Sequence, residues 1–223
     1  MKTSSRCQNN KLKNLIKILG RISFYEIRQH AQITAKMVIL DTLGVILLRN
    51  KSPYIRKLAT QWMTPNSYSF STILGYEFQT FPHIAGFING SGGTVHELDE
   101  GHRFSRGHPG IHVIPAALAI GEKLGISGKS FLRSIILGYE LTAKIAMAMQ
   151  PLKPQFHPHG TWGTFGAAYT TGLLLNFSHT QLEQSIQGVG TLCMSPSRST
   201  VHQGATIRNL YAVFGIMMEF LVH

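Results

Sequence analysis

No stretch of this 223-residue chain alternates apolar and polar residues with the period of two that a half-buried strand requires. Apolar residues recur instead at steps of three and four. Ile33, Met37, Leu40, Leu43 and Leu47 are the first such series and mark one face of a helix. Ser52-Pro53 supplies an N-cap followed by proline at the first helical position, and Ile55, Leu58, Ala59 and Trp62 make a short amphipathic helix behind it. The pattern predicts an all-α fold, a multi-helix bundle, and there is no fixed-period internal repeat that would point to a solenoid.

Glycine and proline set the expected boundaries. Residues 63–92 are mixed, with Pro65, Asn66, Pro82 and the start of a glycine cluster at Gly90, Gly92 and Gly93, so they read as loop with a little helix around Ile84 to Ile88. Pro115 is expected to start the helix "PAALAIGEKLG", with Gly125 just past its end. Ser127-Gly128 opens a long helix whose buried face is Leu132, Ile136, Tyr139, Ala143 and Ala146. Pro151 to Gly160 is a second break. In "TFGAAYTTGLLLN" the small residues Gly166, Ala167, Ala168 and Gly172 predict close helix–helix contact. Ser178 and Thr180 can cap the next helix, and a last helix is expected from about Ile207 to Phe220. Residues 1–20 are polar and basic and read as a tail or a weak first helix; residues 21–223 read as one helical domain. The chain stops inside an apolar helix, "MMEFLVH", which reads as a fragment incomplete at its C-terminus.

Charge and cysteine narrow the class. The formal net charge is +11, with Lys2, Arg6, Lys11, Lys13 and Lys17 almost unopposed by acids, which favours anionic partners. Nucleic acid ranks low among these: there is no zinc-finger spacing, no RNP-like aromatic motif and no single basic recognition helix. Cys7 and Cys193 lie too far apart in sequence for a disulfide framework, which fits a reducing compartment. The longest apolar run, "MVILDTLGVILL", is interrupted by Asp41 and Gly44 and falls short of the roughly 20 residues a spanning helix needs. No signal-peptide core follows the basic N-terminus. The expectation is a cytoplasmic chain with no membrane partner.

Three polar segments at helix boundaries carry reactive side chains. The first, "HELDEGHRFSRGHPG" (96–110), holds three histidines, three acids and two arginines. Asp99, His102, His108 and His112 could be metal ligands, but the Pro-Gly between His108 and His112 spoils helical i,i+4 spacing. There is no HExxH and no cysteine pair, so no metal is assigned. A solvated loop with capping histidines is the plainer alternative. The second, "QFHPHGTWGTFGAA", sets His157 and His159 around Pro158 ahead of a helix, whose N-terminus disfavours a charged imidazole and leaves it able to act as a base; a turn-filling histidine is the alternative. The third, "HQGATIRNLY", presents His202 and Arg208, a carboxylate clamp or a surface arginine.

Taken in order, "HELDEGHRFSRGHPGIHVIPAALAIGEKLG", "ILGYEL", "FHPHGTWGTFGAA" and "GATIRNLYA" resemble the helical domain of the MmgE/PrpD family, and "LDTLGVIL" near residue 40 also fits. The resemblance covers about residues 30–223. It implies a two-domain enzyme, a dimer without organic cofactor, in which an α+β lid domain follows the helical one. Such enzymes (2-methylcitrate dehydratase, cis-aconitate decarboxylase, iminodisuccinate epimerase) act on small di- or tricarboxylates by acid/base chemistry. The resemblance places Asp99, His108 and His157 in the catalytic positions and Arg208 in the carboxylate-binding one, with Arg103 and His102 as further substrate-binding candidates. Asp99 would orient a histidine, while His108 and His157 would share the roles of acid and base. Where cis-aconitate decarboxylases resemble D-F-D-D-T, this chain has Asp99-Glu100-Gly101-His102-Arg103, and arginine at the threonine position argues against decarboxylation. No lid domain follows the helix of Arg208. The alternative is therefore an inactive helical remnant that only dimerises or binds anions; a basic nucleic-acid binder comes third.

Overall fold

The computed structural model describes residues 2–62 and 70–219. Its helices are α1 (Lys2–Arg21), α2 (Gln29–Asn50), α3 (Pro53–Gln61), α4 (Pro82–Thr94), α5 (Gly110–Leu124), α6 (Gly128–Ala148), α7 (Gly163–Leu174), α8 (His179–Leu192), the one-turn α9 (Ser199–His202) and α10 (Tyr211–Glu219). Among the described residues only one small sheet occurs, two antiparallel two-residue strands that pair Ser71 with Thr80 and Thr72 with Gln79. The all-α expectation holds.

Buried apolar residues form three clusters around α5 and α7. Ile46, Ile55, Ile84, Ile88, Ile111, Val213 and Ile216 join α2, α3, α4, α5 and α10. Ile16, Leu19, Leu137, Leu141, Tyr169 and Leu182 join α1, α6, α7 and α8. Val113, Ile114, Ala117, Ile120, Ile135 and Leu174 fill the space between α5, α6 and α7. Residues 2–20 therefore lie in helix α1, and the far end of α1 is docked: Ile16 and Leu19 are buried and Tyr169 donates its hydroxyl to the Ile16 carbonyl at 3.0 Å.

Five expectations change. The glycine cluster lies inside a helix: α4 runs to Thr94, and Gly90, Gly92 and Gly93 stand where Val213, the Asn50 side chain and Ile111 leave no room for a Cβ. Tertiary contact, not local propensity, sets their use. Helix α5 starts at Gly110, and Pro115 sits within it, because the Gly110 N–H is capped from outside by the Glu100 carboxylate at 2.5 Å. On α2 the series Ile33, Met37, Leu40 and Leu47 faces outward, while Thr42, Val45, Ile46 and Asn50 are buried. That helix is also longer than its apolar run: its 22 residues are long and apolar enough to cross a membrane by length and composition. On α6, Ile136 and Tyr139 are only half-buried; Ile135, Leu137 and Leu141 take the core positions.

Other boundaries agree with the sequence. Ser52 accepts from the Ile55 N–H with Pro53 behind it, and Ser178 forms a capping box with Gln181. Gly125 ends α5 in the left-handed conformation. Gly166 and Gly138 mark the closest approach of α6 and α7. The last helical stretch begins as a 3-10 turn, Thr206–Leu210, before α10; Phe220 and residues 63–69, which include Pro65 and Asn66, lie outside the described residues.

Candidate active site

The second polar segment is zipped to residues 194–198, just ahead of the third. His157 N–H donates to the Pro196 carbonyl at 2.8 Å, Arg198 N–H to Gln155 at 2.8 Å, and Met194 N–H to Gly160 at 2.9 Å. Gly160 makes this turn at φ +80, a conformation glycine adopts without strain, with Pro196 and the Tyr211 carbonyl close beside it. The first segment reaches the same place through imidazole rings. His159 lies 5.0 Å from His157, 5.4 Å from His108 and 5.1 Å from His112, centroid to centroid.

His108 stands beside Asp99. Its Nδ1 is 3.4 Å from Asp99 Oδ2, an ion-pair distance, and 2.8 Å from the Glu100 carbonyl oxygen. Both neighbours are acceptors, so Nδ1 carries the hydrogen, and in the neutral ring Nε2 is the free lone pair. Asp99 Oδ2 is buried without a hydrogen-bond partner. Burial pushes the Asp99 carboxyl up to about 6 against the opposing pull of His108. Glu100 is raised in the same direction by burial, while its bonds from Gly110 N–H and the Tyr139 hydroxyl hold it down in part.

His157 is lowered to about 4, chiefly by burial, with the charges of Arg208 and Arg198 adding to the effect. The direction matches the sequence reading, but the cause is desolvation rather than the start of α7, which lies beyond it at Gly163. The His159 backbone N–H donates to His157 Nδ1 at 3.2 Å, so neutral His157 carries its proton on Nε2. It offers a donor, not a lone pair.

Arg208 lies at the edge of this cluster with its charge already paired. Its Nη2 meets Glu97 Oε1 at 2.6 Å, and Nη1 donates to the Thr94 carbonyl at 2.8 Å. The two line a pocket of about 430 Å³ with His96, Tyr54 and Asn209.

The structure does not bring His102 and Arg103 to the cluster. They sit in a tight turn closed by the His102–Gly107 bridge. His102 Nδ1 accepts from Ser105 N–H at 3.1 Å, its ring packs on Tyr139, and it lines a separate pocket of about 390 Å³ with His30, Val38 and Ile135. Arg103 is exposed and has no ion-pair partner among the described residues. His112, which the sequence offers only as a metal ligand, and His159, which it offers beside His157 as a base or a turn-filling residue, are the buried centre of the cluster. The His-Pro-His around Pro158, with His112 four residues beyond His108, is the only trace of this in the sequence. Among the described residues no group of three or more His, Cys, Asp or Glu is arranged to hold a metal ion.

Residues 13–214 match the family described as the MmgE/PrpD N-terminal domain. The chain is also similar to the cis-aconitate decarboxylase-like protein oryM of Aspergillus oryzae, at 25% identity over 162 residues, covering 68% of this chain and 34% of that protein. The chain thus spans about a third of the length of this curated relative. That relative's name is decarboxylase-like, whereas the sequence expectation drawn from Arg103 runs against decarboxylation.

Proposed function

We propose that this chain, which belongs to the MmgE/PrpD family, is the helical part of an enzyme that moves a proton on a small di- or tricarboxylate, in a dehydration or decarboxylation. The observation that supports this best is the meeting of Asp99, His108, His157 and Arg208 at the joined ends of three polar segments.

The tautomers divide the labour. His108 presents a bare Nε2 with Asp99 beside the opposite nitrogen, so it takes the proton, and the carboxylate stabilises the imidazolium that forms. His157, neutral near pH 7, has no readily lost proton. Its Nε2–H hydrogen-bonds the oxygen on which charge develops. A substrate carboxylate displaces the half-exposed Glu97 from Arg208 and so fixes the reacting carbon. In a dehydration, His108 takes the C–H proton and returns it to the departing hydroxyl, so that water leaves as the double bond forms. In a decarboxylation, the protonated His108 supplies the proton to the carbon that carbon dioxide has left. In the dehydration that proton is recycled into water; in the decarboxylation it stays on the product, and His108 Nε2 takes a fresh proton from solvent before each turnover.

Turnover of 2-methylcitrate, cis-aconitate and iminodisuccinate by the purified chain tests this. His108→Gln is expected to lower turnover by about 100-fold or more with an unchanged circular dichroism spectrum. Full activity in that variant would remove His108 from the mechanism. Because the chain spans only 34% of its relative, a second outcome has meaning. No turnover, with melting still raised by cis-aconitate and lost in Arg208→Gln, supports the anion-binding reading instead.

A further inference from the structure

His112 and His159 form a hydrogen-bonded imidazole pair in the interior, and neither ring is used by the chemistry above. His112 is fully buried on α5; its Nδ1 lies 3.2 Å from the Ala212 carbonyl oxygen of α10, and its Nε2 lies 2.9 Å from His159 Nδ1. Gly163 lets the start of α7 lie flat against the His112 ring, since any Cβ there would enter it, and Trp162 packs beside the ring at 5.7 Å. The pair is thus held by three helices.

Two neutral imidazoles in contact can share their protons in two equivalent ways, and nothing in the pair itself chooses between them. Here the ends choose. A carbonyl oxygen only accepts, so His112 carries its hydrogen on Nδ1. Burial without a counter-charge keeps the ring neutral, which leaves Nε2 a lone pair. That lone pair accepts from His159, so His159 carries its hydrogen on Nδ1 and its own lone pair on Nε2. His159 Nε2 has no hydrogen-bond partner among the described residues, and the ring stands between His108 and His157.

We propose that His112 is a tautomer lock for His159: the Ala212 carbonyl, acting through His112, holds His159 with its Nε2 lone pair turned to the acid/base cluster, making His112 a positioning residue and His159 a binding residue of that site. The inference rests on the functional reading for its purpose but not for its geometry. His108 and His159 then both present acceptors, and His157 presents the donor, so a molecule bound among them must offer an O–H or N–H to His159. The polarity is written by two backbone carbonyls, Ala212 for His159 and Glu100 for His108. Without the lock, His159 can turn an N–H toward the cluster and repel the donor that His157 already supplies.

Histidine side-chain nitrogen NMR on the full chain reads this directly, because protonated and bare ring nitrogens resonate apart. Among the eleven histidines, the two assigned by loss in His112→Gln and His159→Gln are expected in the neutral Nδ1–H form, unchanged from about pH 7.5 to about pH 5 while exposed rings titrate. His112→Phe removes the acceptor, and His159 is expected to lose its single tautomer. His112→Gln places an amide oxygen where Nε2 stood, and the Nδ1–H form of His159 is expected to return. Should His112→Phe unfold, the wild-type tautomers and the His112→Gln variant still decide. His159 in the Nε2–H form in the wild type, or failure of His112→Gln to keep Nδ1–H, overturns the proposal. Locked tautomers without turnover sink the acid/base reading alone; turnover with the opposite tautomer sinks the lock alone.

Discussion

Glu100 shows how much one side chain can organise. Its Oε1 caps α5 at the Gly110 N–H, its Oε2 accepts from the Tyr139 hydroxyl at 2.9 Å on α6, and its carbonyl holds His108. An acid within a polar loop would ordinarily be solvated; this one is mostly withdrawn from water, and burial raises its pKa. Glu100→Ala leaves a helix donor and a tyrosine hydroxyl without their acceptor and is expected to cost about 1–3 kcal/mol in urea denaturation. Glu100→Gln keeps the shape and one acceptor and should recover part of that loss. An alanine variant within about 0.5 kcal/mol of the parent would mean that water replaces the carboxylate at both sites.

At the scale of elements, glycine decides how closely helices approach. Gly138 on α6 faces Thr170 of α7, and Gly166 on α7 faces Thr142 of α6, each with no space for a methyl group. The same threonines bond back to their own helices, Thr142 to the Gly138 carbonyl and Thr170 to the Gly166 carbonyl, both at 2.7 Å. Gly138→Ala must push α6 and α7 apart and is expected to destabilise by about 1–3 kcal/mol. Gly44 in α2 has open space where a methyl group would stand, with no neighbouring atom within 4 Å, so Gly44→Ala should stabilise by about 0.4–1 kcal/mol by restricting the unfolded chain. Chemical denaturation of both variants checks the pair, and equal effects would contradict the close approach. In the sequence the two glycines look alike; only their neighbours separate them.

The whole molecule responds to acid through its buried cluster. His112 is lowered to about 3, His157 to about 4 and His159 well below 6.5, all chiefly by burial. Above about pH 6.5 these rings are neutral in both the folded and the unfolded chain and add nothing to the pH dependence. Below it the unfolded chain binds protons that the folded chain refuses, so stability falls as pH drops toward about 4. Asp99, raised from 3.8 to about 6, acts in the opposite sense: the folded chain holds its proton through a range where the unfolded chain has lost it, a contribution present below 3.8 and lost as pH rises through 6. Glu100 is shifted in the same direction as Asp99. Three imidazoles outweigh two carboxyls, so the melting temperature is expected to fall between about pH 7 and about pH 5. A flat or rising profile would mean that the rings are charged in the folded state.

Period, caps and composition determined the class of fold from the sequence alone: all helices, with Ser52, Ser178 and Gly125 at their ends, because those signals act within a few residues. The ordered motifs also carried Asp99, His108, His157 and Arg208, of which the structure gathers the first three into one cluster with Arg208 at its edge. What spans the chain was not legible. That the Gly90–Gly93 cluster lies inside a helix depends on Asn50, Ile111 and Val213. The face α2 buries depends on what packs against it: the regular series Ile33 to Leu47 has the right spacing and mostly the wrong side. The His112–His159 pair joins residues 47 apart under a carbonyl 100 residues from His112. Hydrogen-bond polarity of that kind is set by which acceptor ends the chain of rings, and only the tertiary structure decides where that acceptor is.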